Sequence, residues 1–350
     1  LNGKIEDFFI KRPNVYTFID KLSFKDHRGL LVENITADFT YTKKNILLDQ
    51  LAMKTPSSEM KGRVELKYNR KDFSDFNNKV IFDVQFDKAT IASNDLNYFY
   101  NEFGKNNVFY VDTHLIGTLN NFTTHNLKLV DKNQSEIVGT INFQNLFGKG
   151  DQAFYMKGNF DRLTSSYDRL KAILPRILGK NLPSTLDKLG TVNMIGGVEL
   201  TQKYINADVY LMSKLGELES NLSMQNIDVI DNALYKGNLI LNDFDLGTLL
   251  GQQEIGRATV NLDVDGRGFT QKLLNTAIKG EIQKFYYNGY NYQNITVDGS
   301  MKMPYYKGYF NSNDPNLKMD FDGTIDLSFK AKNYDFKTQI DYADLYALNL

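Results

Sequence analysis

Apolar and polar residues alternate over long runs in the C-terminal part of the chain. Val260, Leu262 and Val264 alternate with Asn261, Asp263 and Asp265. Ile295, Val297, Gly299, Met301 and Met303 alternate with Thr296, Asp298, Ser300 and Lys302, and Leu317, Met319, Phe321, Gly323, Ile325 and Leu327 with Lys318, Asp320, Asp322, Thr324 and Asp326. A period of two over runs of this length predicts long strands with one apolar and one wetted face. Upstream, Asn242 to Gly251 reads as a polar cap, a short apolar segment and a glycine stop, predicting a helix of one or two turns.

The same phrase recurs earlier. Ile35, Ala37, Phe39 and Tyr41 alternate with threonines and Asp38, and strands follow over Met60 to Tyr68 and Val80 to Phe86, with a Pro56-Ser-Ser58 turn between. Short turns between consecutive strands predict an antiparallel meander. A short helix is expected near 95–103, then strands over 109–119, 126–130, 137–143 and 154–160. The Asp-Leu dipeptides at Asp95 and Asp245 open matching phrases, a weak internal repeat. Residues 161–190 form a helical insertion between two sheet segments, 1–160 and 191–350. Leu163, Tyr167, Leu170, Ile173, Leu174, Ile177 and Leu178 recur at helical spacing, with Ser165 as cap and Gly179 as stop, and Pro183 opens a shorter helix over 184–189.

About 20 strands at roughly 4.8 Å spacing cannot form one flat sheet. The expected fold is mostly β: an elongated, curled antiparallel sheet, a repeating β-groove, with a few short helices. Glycines at Gly62, Gly196, Gly237, Gly299 and Gly323 share the apolar face and mark bends. The residues expected to line the interior of the groove, where acyl chains would be sheltered, are Phe39 and Tyr41, Val64 and Leu66, and Val84 and Phe86 in the first segment. In the second they are Met194 and Val198, Val209 and Leu211, Leu239 and Leu241, Val260, Leu262 and Val264, Val297 and Met301, and Met319, Phe321 and Ile325. The same alternation also fits an ordinary sandwich whose apolar face is filled by a second sheet.

Composition narrows the chemistry. With 350 residues, 42% hydrophobic and 24% charged, the chain has the material for a large apolar surface. A net charge of -1 leaves no electrostatic footprint for nucleic acid, nor a polybasic run for membrane docking. No cysteine is present, which removes disulfides and thiolate chemistry. No apolar run approaches the roughly 20 residues of a membrane-spanning helix. His27, His114 and His125 are the only histidines and show no metal spacing. Asp263-Val-Asp265-Gly266 and Asp320-Phe-Asp322-Gly323 resemble the start of a calcium loop but lack its closing glutamate. No nucleophile elbow or phosphate loop appears. The expectation is therefore a protein without catalytic, metal or cofactor site. An outer-membrane barrel is disfavoured by the absence of tryptophan, the helical insertion and the short connections.

Asp243-Phe-Asp-Leu-Gly-Thr-Leu-Leu250, Gly256-Arg-Ala-Thr-Val-Asn-Leu-Asp-Val-Asp-Gly266, Tyr287-Asn-Gly-Tyr-Asn-Tyr292, Asn313-Asp-Pro-Asn-Leu317 and Phe321-Asp-Gly-Thr-Ile-Asp-Leu327 resemble the TamB and AsmA-like proteins of Gram-negative envelopes. Phe39-Thr-Tyr41 through Thr55-Pro-Ser-Ser58 and Gly62 follows the same strand pattern. The resemblance implies an internal piece of a longer periplasmic protein, anchored in the inner membrane by a segment outside this sequence. It also implies a groove that carries phospholipid acyl chains between membranes, a role in outer-membrane protein assembly, and an Omp85-type barrel partner met by a region outside this sequence.

Overall fold

The computed structural model describes all residues except 100–102, 147–153, 174, 176–177, 183, 228, 230–231, 269–272, 303 and 329–331. The described residues form twenty-one strands and a few short helices, and all the strand pairings described within each of the chain's two compact units are antiparallel. The first unit, Leu1–Ser184, carries β1 (Asn2–Lys11), β2 (Asn14–Lys25), β3 (Leu31–Val32), β4 (Asn34–Tyr41), β5 (Asn45–Lys54), β6 (Glu59–Lys67), β7 (Ile81–Ala92), β8 (Val108–Gly117), β9 (Phe122–Asp131), β10 (Glu136–Gln144) and β11 (Tyr155–Ser166). Each strand pairs with its neighbour in sequence, except that β4 joins β2 directly while β3 pairs with the far end of β2.

The second unit, Thr185–Leu350, is a ten-strand meander without a crossover. Its strands are β12 (Thr191–Thr201), β13 (Tyr204–Ser213), β14 (Gly216–Gln225), β15 (Leu234–Asp245), β16 (Ile255–Arg267), β17 (Asn275–Tyr287), β18 (Tyr290–Lys302), β19 (Tyr305–Asp314), β20 (Leu317–Asp326) and β21 (Asn333–Ala343). Within each unit no pairing joins the first strand to the last, so each sheet is open.

The helices are short: α1 (Phe76–Lys79), α2 (Ser93–Leu96), α3 (Tyr167–Ile173), α4 (Leu178–Asn181) and α5 (Leu246–Leu250), with 3-10 turns at Arg70–Asp75 and Ser184–Leu189. The α5 helix follows its sequence punctuation. The Asp245 carboxylate accepts from the Thr248 amide at 2.9 Å and the Thr248 hydroxyl at 2.6 Å, and Gly251 ends the helix with φ 71°. Two expectations are corrected. The helix predicted from residue 163 starts at Tyr167, because Leu163 is the buried partner of Ile137 in β11 and Ser165 bonds the Ser135 hydroxyl at 2.9 Å instead of capping. Leu163 lies four residues from Tyr167, so helical spacing and strand pairing both claim it, and pairing wins. The helix expected near 95–103 spans only Ser93–Leu96, where Asp95 accepts hydroxyl bonds from Thr55 and Ser58 at 2.6 and 2.5 Å and so ties the helix to the turn before β6. Leu174, Ile177, Pro183 and Met303 lie outside the described residues.

One glycine shows how tightly the strands approach. Gly237 in β15 has φ 147°, and a Cβ there would stand 1.9 Å from the Asn221 carbonyl oxygen of β14. Gly237→Ala is expected to lower stability by about 2–4 kcal/mol in urea denaturation. Gly179→Ala in α4, where the nearest atom is the flexible Lys171 side chain at 3.0 Å, should stay within about 1 kcal/mol of wild type.

The wetted face of the first unit carries a linked ion network. The Asp83 carboxylate accepts from Lys67 at 2.7 Å and from His114 at 2.8 Å, and these bonds hold its pKa below the usual carboxylate value. Burial pushes Glu65 up, but hydrogen bonds from Asn45 and Arg63 outweigh it and leave Glu65 low as well. Folded-state values below the unfolded ones stabilise the unit fully above the unfolded carboxylate pKa, near about 4. That contribution is lost as pH falls through the depressed values. Urea midpoints measured on acidification should therefore drop, and Glu65→Gln combined with Asp83→Asn should flatten the drop.

Candidate functional site

Strand register turns the alternation into continuous rows. In the second unit Met194, Leu211, Leu218, Leu241, Val260, Ile282 and Ile295 are successive cross-strand partners from β12 to β18, and the row runs on through Ser312 and Met319 to Ile340 of β21. Beside it run Gly196, Val209, Ser220, Leu239, Leu262, Gly280, Val297, Phe310 and Phe321. A third row holds Val198, Ala207, Leu222, Gly237, Val264, Ile278, Gly299, Gly308 and Gly323, and a fourth Leu200, Ile205, Met224, Tyr235, Gly266, Thr276, Met301, Tyr306 and Ile325. Four parallel rows on one face make an apolar track that runs across the strands, with its long axis perpendicular to them.

The opposite face has the reverse chemistry. Its central row reads Asp208, Asn221, Asn238, Asp263, Lys279, Asp298, Tyr309, Asp322 and Lys337. Lys279 meets Asp298 at 2.8 Å and Lys236 meets Asp265 at 2.8 Å, and in each case the carboxylate hydrogen bond raises the lysine pKa. Both calcium-like stretches lie inside strands, in β16 and β20, with their aspartates on this wetted face.

All fourteen residues predicted for the second segment fall on the four apolar rows. In the first unit the six predicted residues share one face too. Tyr41 lies in the row Val15, Tyr41, Ile46, Leu66 and Phe82, Phe39 in the row Thr17, Phe39, Leu48, Val64, Val84 and Leu115, and Phe86 stands between Gly62 and Thr113. Val84, Val209, Leu241 and Val260 are buried, Tyr41 is exposed at its strand end, and the others are half-buried. Sequence reading missed the contributions of β17 and β19, among them Ile278, Ile282 and Phe310. The signal was present as Ile278, Gly280 and Ile282 at alternate positions.

Cover on the track is uneven. Leu189 and Leu186 of the 3-10 turn and Leu246 and Leu249 of α5 pack onto Leu241, Phe244 and Val260 and their half-buried neighbours Leu211, Leu218, Leu239, Leu262 and Ile282. That cluster covers the β13–β17 stretch of the first row and the β15–β16 stretch of the second. Val198, Leu222, Val264 and Ile278 of the third row lie outside it and are half-buried. Charge chemistry is sparse on these faces. Among the described residues no three His, Asp or Glu side chains are grouped as metal ligands are, and no helix is long and apolar enough to cross a membrane. His114 stands opposite His125 on the wetted face and bonds Asp83. The arrangement suits the exclusion of water from a long apolar ligand held without a fixed polar anchor.

Comparison with protein-family models, with curated proteins and with solved structures finds no match to this chain.

Proposed function

We propose that the apolar faces shelter the acyl chains of phospholipids, and that the chain is a segment of a periplasmic envelope protein moving lipid between inner and outer membranes, as the resemblance to TamB and AsmA-like proteins implies. The observation that carries this reading is the alignment of four apolar rows across the nine consecutive strands β12 to β20. Each methylene withdrawn from water is worth about 0.8 kcal/mol, so a chain of about 16 carbons faces a penalty on the order of 12 kcal/mol in solvent. A track that repeats the same environment at every strand lowers that penalty along its length without creating one tight site. Low lipid specificity follows, and so does a role that needs no catalytic group. Contact with an Omp85-type barrel and support of outer-membrane protein assembly belong, on this reading, to regions outside this sequence.

The alternative is a structural module with a closed sandwich core. Such a core needs a second sheet against the apolar face, whereas the second unit has a single meander with short helices over part of that face.

Photoreactive residues placed at Leu239, Leu262 and Phe321 on the apolar rows, and at Asp208 and Asn261 on the wetted face, separate the two readings in cells. Glycerophospholipid adducts are expected from the first set only. Adducts from both sets alike, or from neither, would return the chain to the sandwich. Leu262→Asp should cut co-purifying lipid several-fold, and Asn261→Asp should leave it unchanged.

A further inference from the structure

Three pairs of basic residues far apart in sequence meet at one end of the first unit's sheet. Lys11-Arg12 form the β1–β2 turn, Lys43-Lys44 the β4–β5 turn, and Arg70-Lys71 open the 3-10 turn between β6 and β7. The register places them together. Val15 faces Tyr41, Tyr41 faces Ile46, and Ile46 faces Leu66, so all three connections leave the sheet at the same rim. Successive turns are two strands apart, roughly 10 Å, a little beyond the Debye length of about 8 Å at physiological salt, so each turn acts as its own cationic centre and an extended anionic surface is needed to meet all three at once.

The cations are free to meet an external anion. All six side chains are exposed, and none takes part in an ion pair among the described residues. Asp72 and Asp75 share the 3-10 turn with Arg70 and Lys71, and Lys79 faces Asp75, while Glu65 and Asp83 are held by Arg63 and Lys67, so the six cations outnumber the acids at the rim. Two of the turns are fixed to one another, because the Tyr68 amide donates to the Lys44 carbonyl at 2.8 Å and the Tyr68 hydroxyl to the Thr42 carbonyl at 3.1 Å. Large apolar side chains stand exposed among them: Tyr41 at 40%, Phe73 at 46% and Ile81 at 42%. Phe73 rests on the Tyr68 ring at 4.6 Å, so it projects from a rigid base.

We propose that this rim docks on the surface of an anionic phospholipid bilayer, with the three basic turns on the headgroups and Tyr41, Phe73 and Ile81 at the level of the headgroup–acyl boundary. Charge complementarity selects an anionic partner in a chain whose net charge is only -1. The aliphatic Ile81 favours a bilayer over a single-stranded nucleic acid, whose bases would stack on the Tyr41 and Phe73 rings but offer an aliphatic side chain no such partner. The surface rests on the turns rather than on the acyl-chain track; of its apolar residues only Tyr41 also belongs to a row, at the end of its strand.

Each lysine or arginine near an anionic bilayer raises the partition constant by a factor of about five. Sedimentation of the purified protein with vesicles of phosphatidylcholine containing roughly a third phosphatidylglycerol, against phosphatidylcholine alone, reads the effect. Binding should be confined to the anionic vesicles and fall with salt. Lys43→Glu with Lys44→Glu, and Arg70→Glu with Lys71→Glu, should each lower it by about tenfold or more, while Lys284→Glu with Lys302→Glu, exposed in the second unit, should not. The chain has no tryptophan, so Phe73→Trp adds a single reporter whose emission should shift to the blue on anionic vesicles. Equal binding to neutral vesicles, equal loss in the second-unit variant, an unshifted Trp emission, or tighter binding to a DNA duplex or a single-stranded oligonucleotide at equal phosphate concentration would each overturn the proposal.

Discussion

Register is the constraint on which the rest of the structure depends. Side chains alternate along a strand, so a slip of one residue would move a strand's whole apolar set to the wetted face. Hairpin connections hold consecutive strands in phase, and the result in the second unit is apolar rows that cross the strands from β12 to β20. Where one strand gains a residue, a bulge absorbs it. Gln50, Lys88, Asn126 and Asp243 have positive φ and lie at register shifts, and beyond each of the first, second and last the apolar face resumes three residues on: Leu48 then Leu51, Phe86 then Ala89, Leu241 then Phe244.

Bulges and close glycine contacts serve one need. Phe244, wholly buried, reaches the same cluster as Leu241 only because the Asp243 bulge restores its phase. Arg257 holds that bulge, with its guanidinium 2.9 Å from the Asp243 carboxylate, and the Thr259 hydroxyl accepts from the Asp243 amide at 3.1 Å. The strand then ends at once in the Asp245 cap, so α5 is set down on the rows that the bulge has brought into line. Local turn chemistry thus decides which part of the apolar face is covered and which stays accessible.

Polar residues obey the same register. Asp263, Lys279 and Asp298 are cross-strand partners, and their charges are satisfied between strands rather than within one. The separation of faces leaves the basic turns as the places where cations outnumber acids.

The sequence by itself determined the strands whose alternation was unbroken and the helix whose punctuation was complete. Val260 to Val264, Ile295 to Met301 and Leu317 to Ile325 lie in strands and α5 stops at Gly251, because side-chain period and capping are local properties. Membership of the apolar face was legible for the same reason: within one strand, parity is fixed by counting. Tertiary structure decided what parity cannot. The N-terminal strands β1 and β2 and the later β19 were not legible, since Phe8-Phe9-Ile10 and the tyrosine-rich run of β19 break the period and only pairing with a neighbour sets their phase, whereas β17 carried its alternation in Ile278, Gly280 and Ile282. Leu163 went to a strand because its partner Ile137 was waiting across the ladder. The meeting of Lys11-Arg12, Lys43-Lys44 and Arg70-Lys71 was equally invisible, as a balanced total charge says nothing of which turns share a rim, and that is settled by the order and register in which β2, β4, β5 and β6 pair.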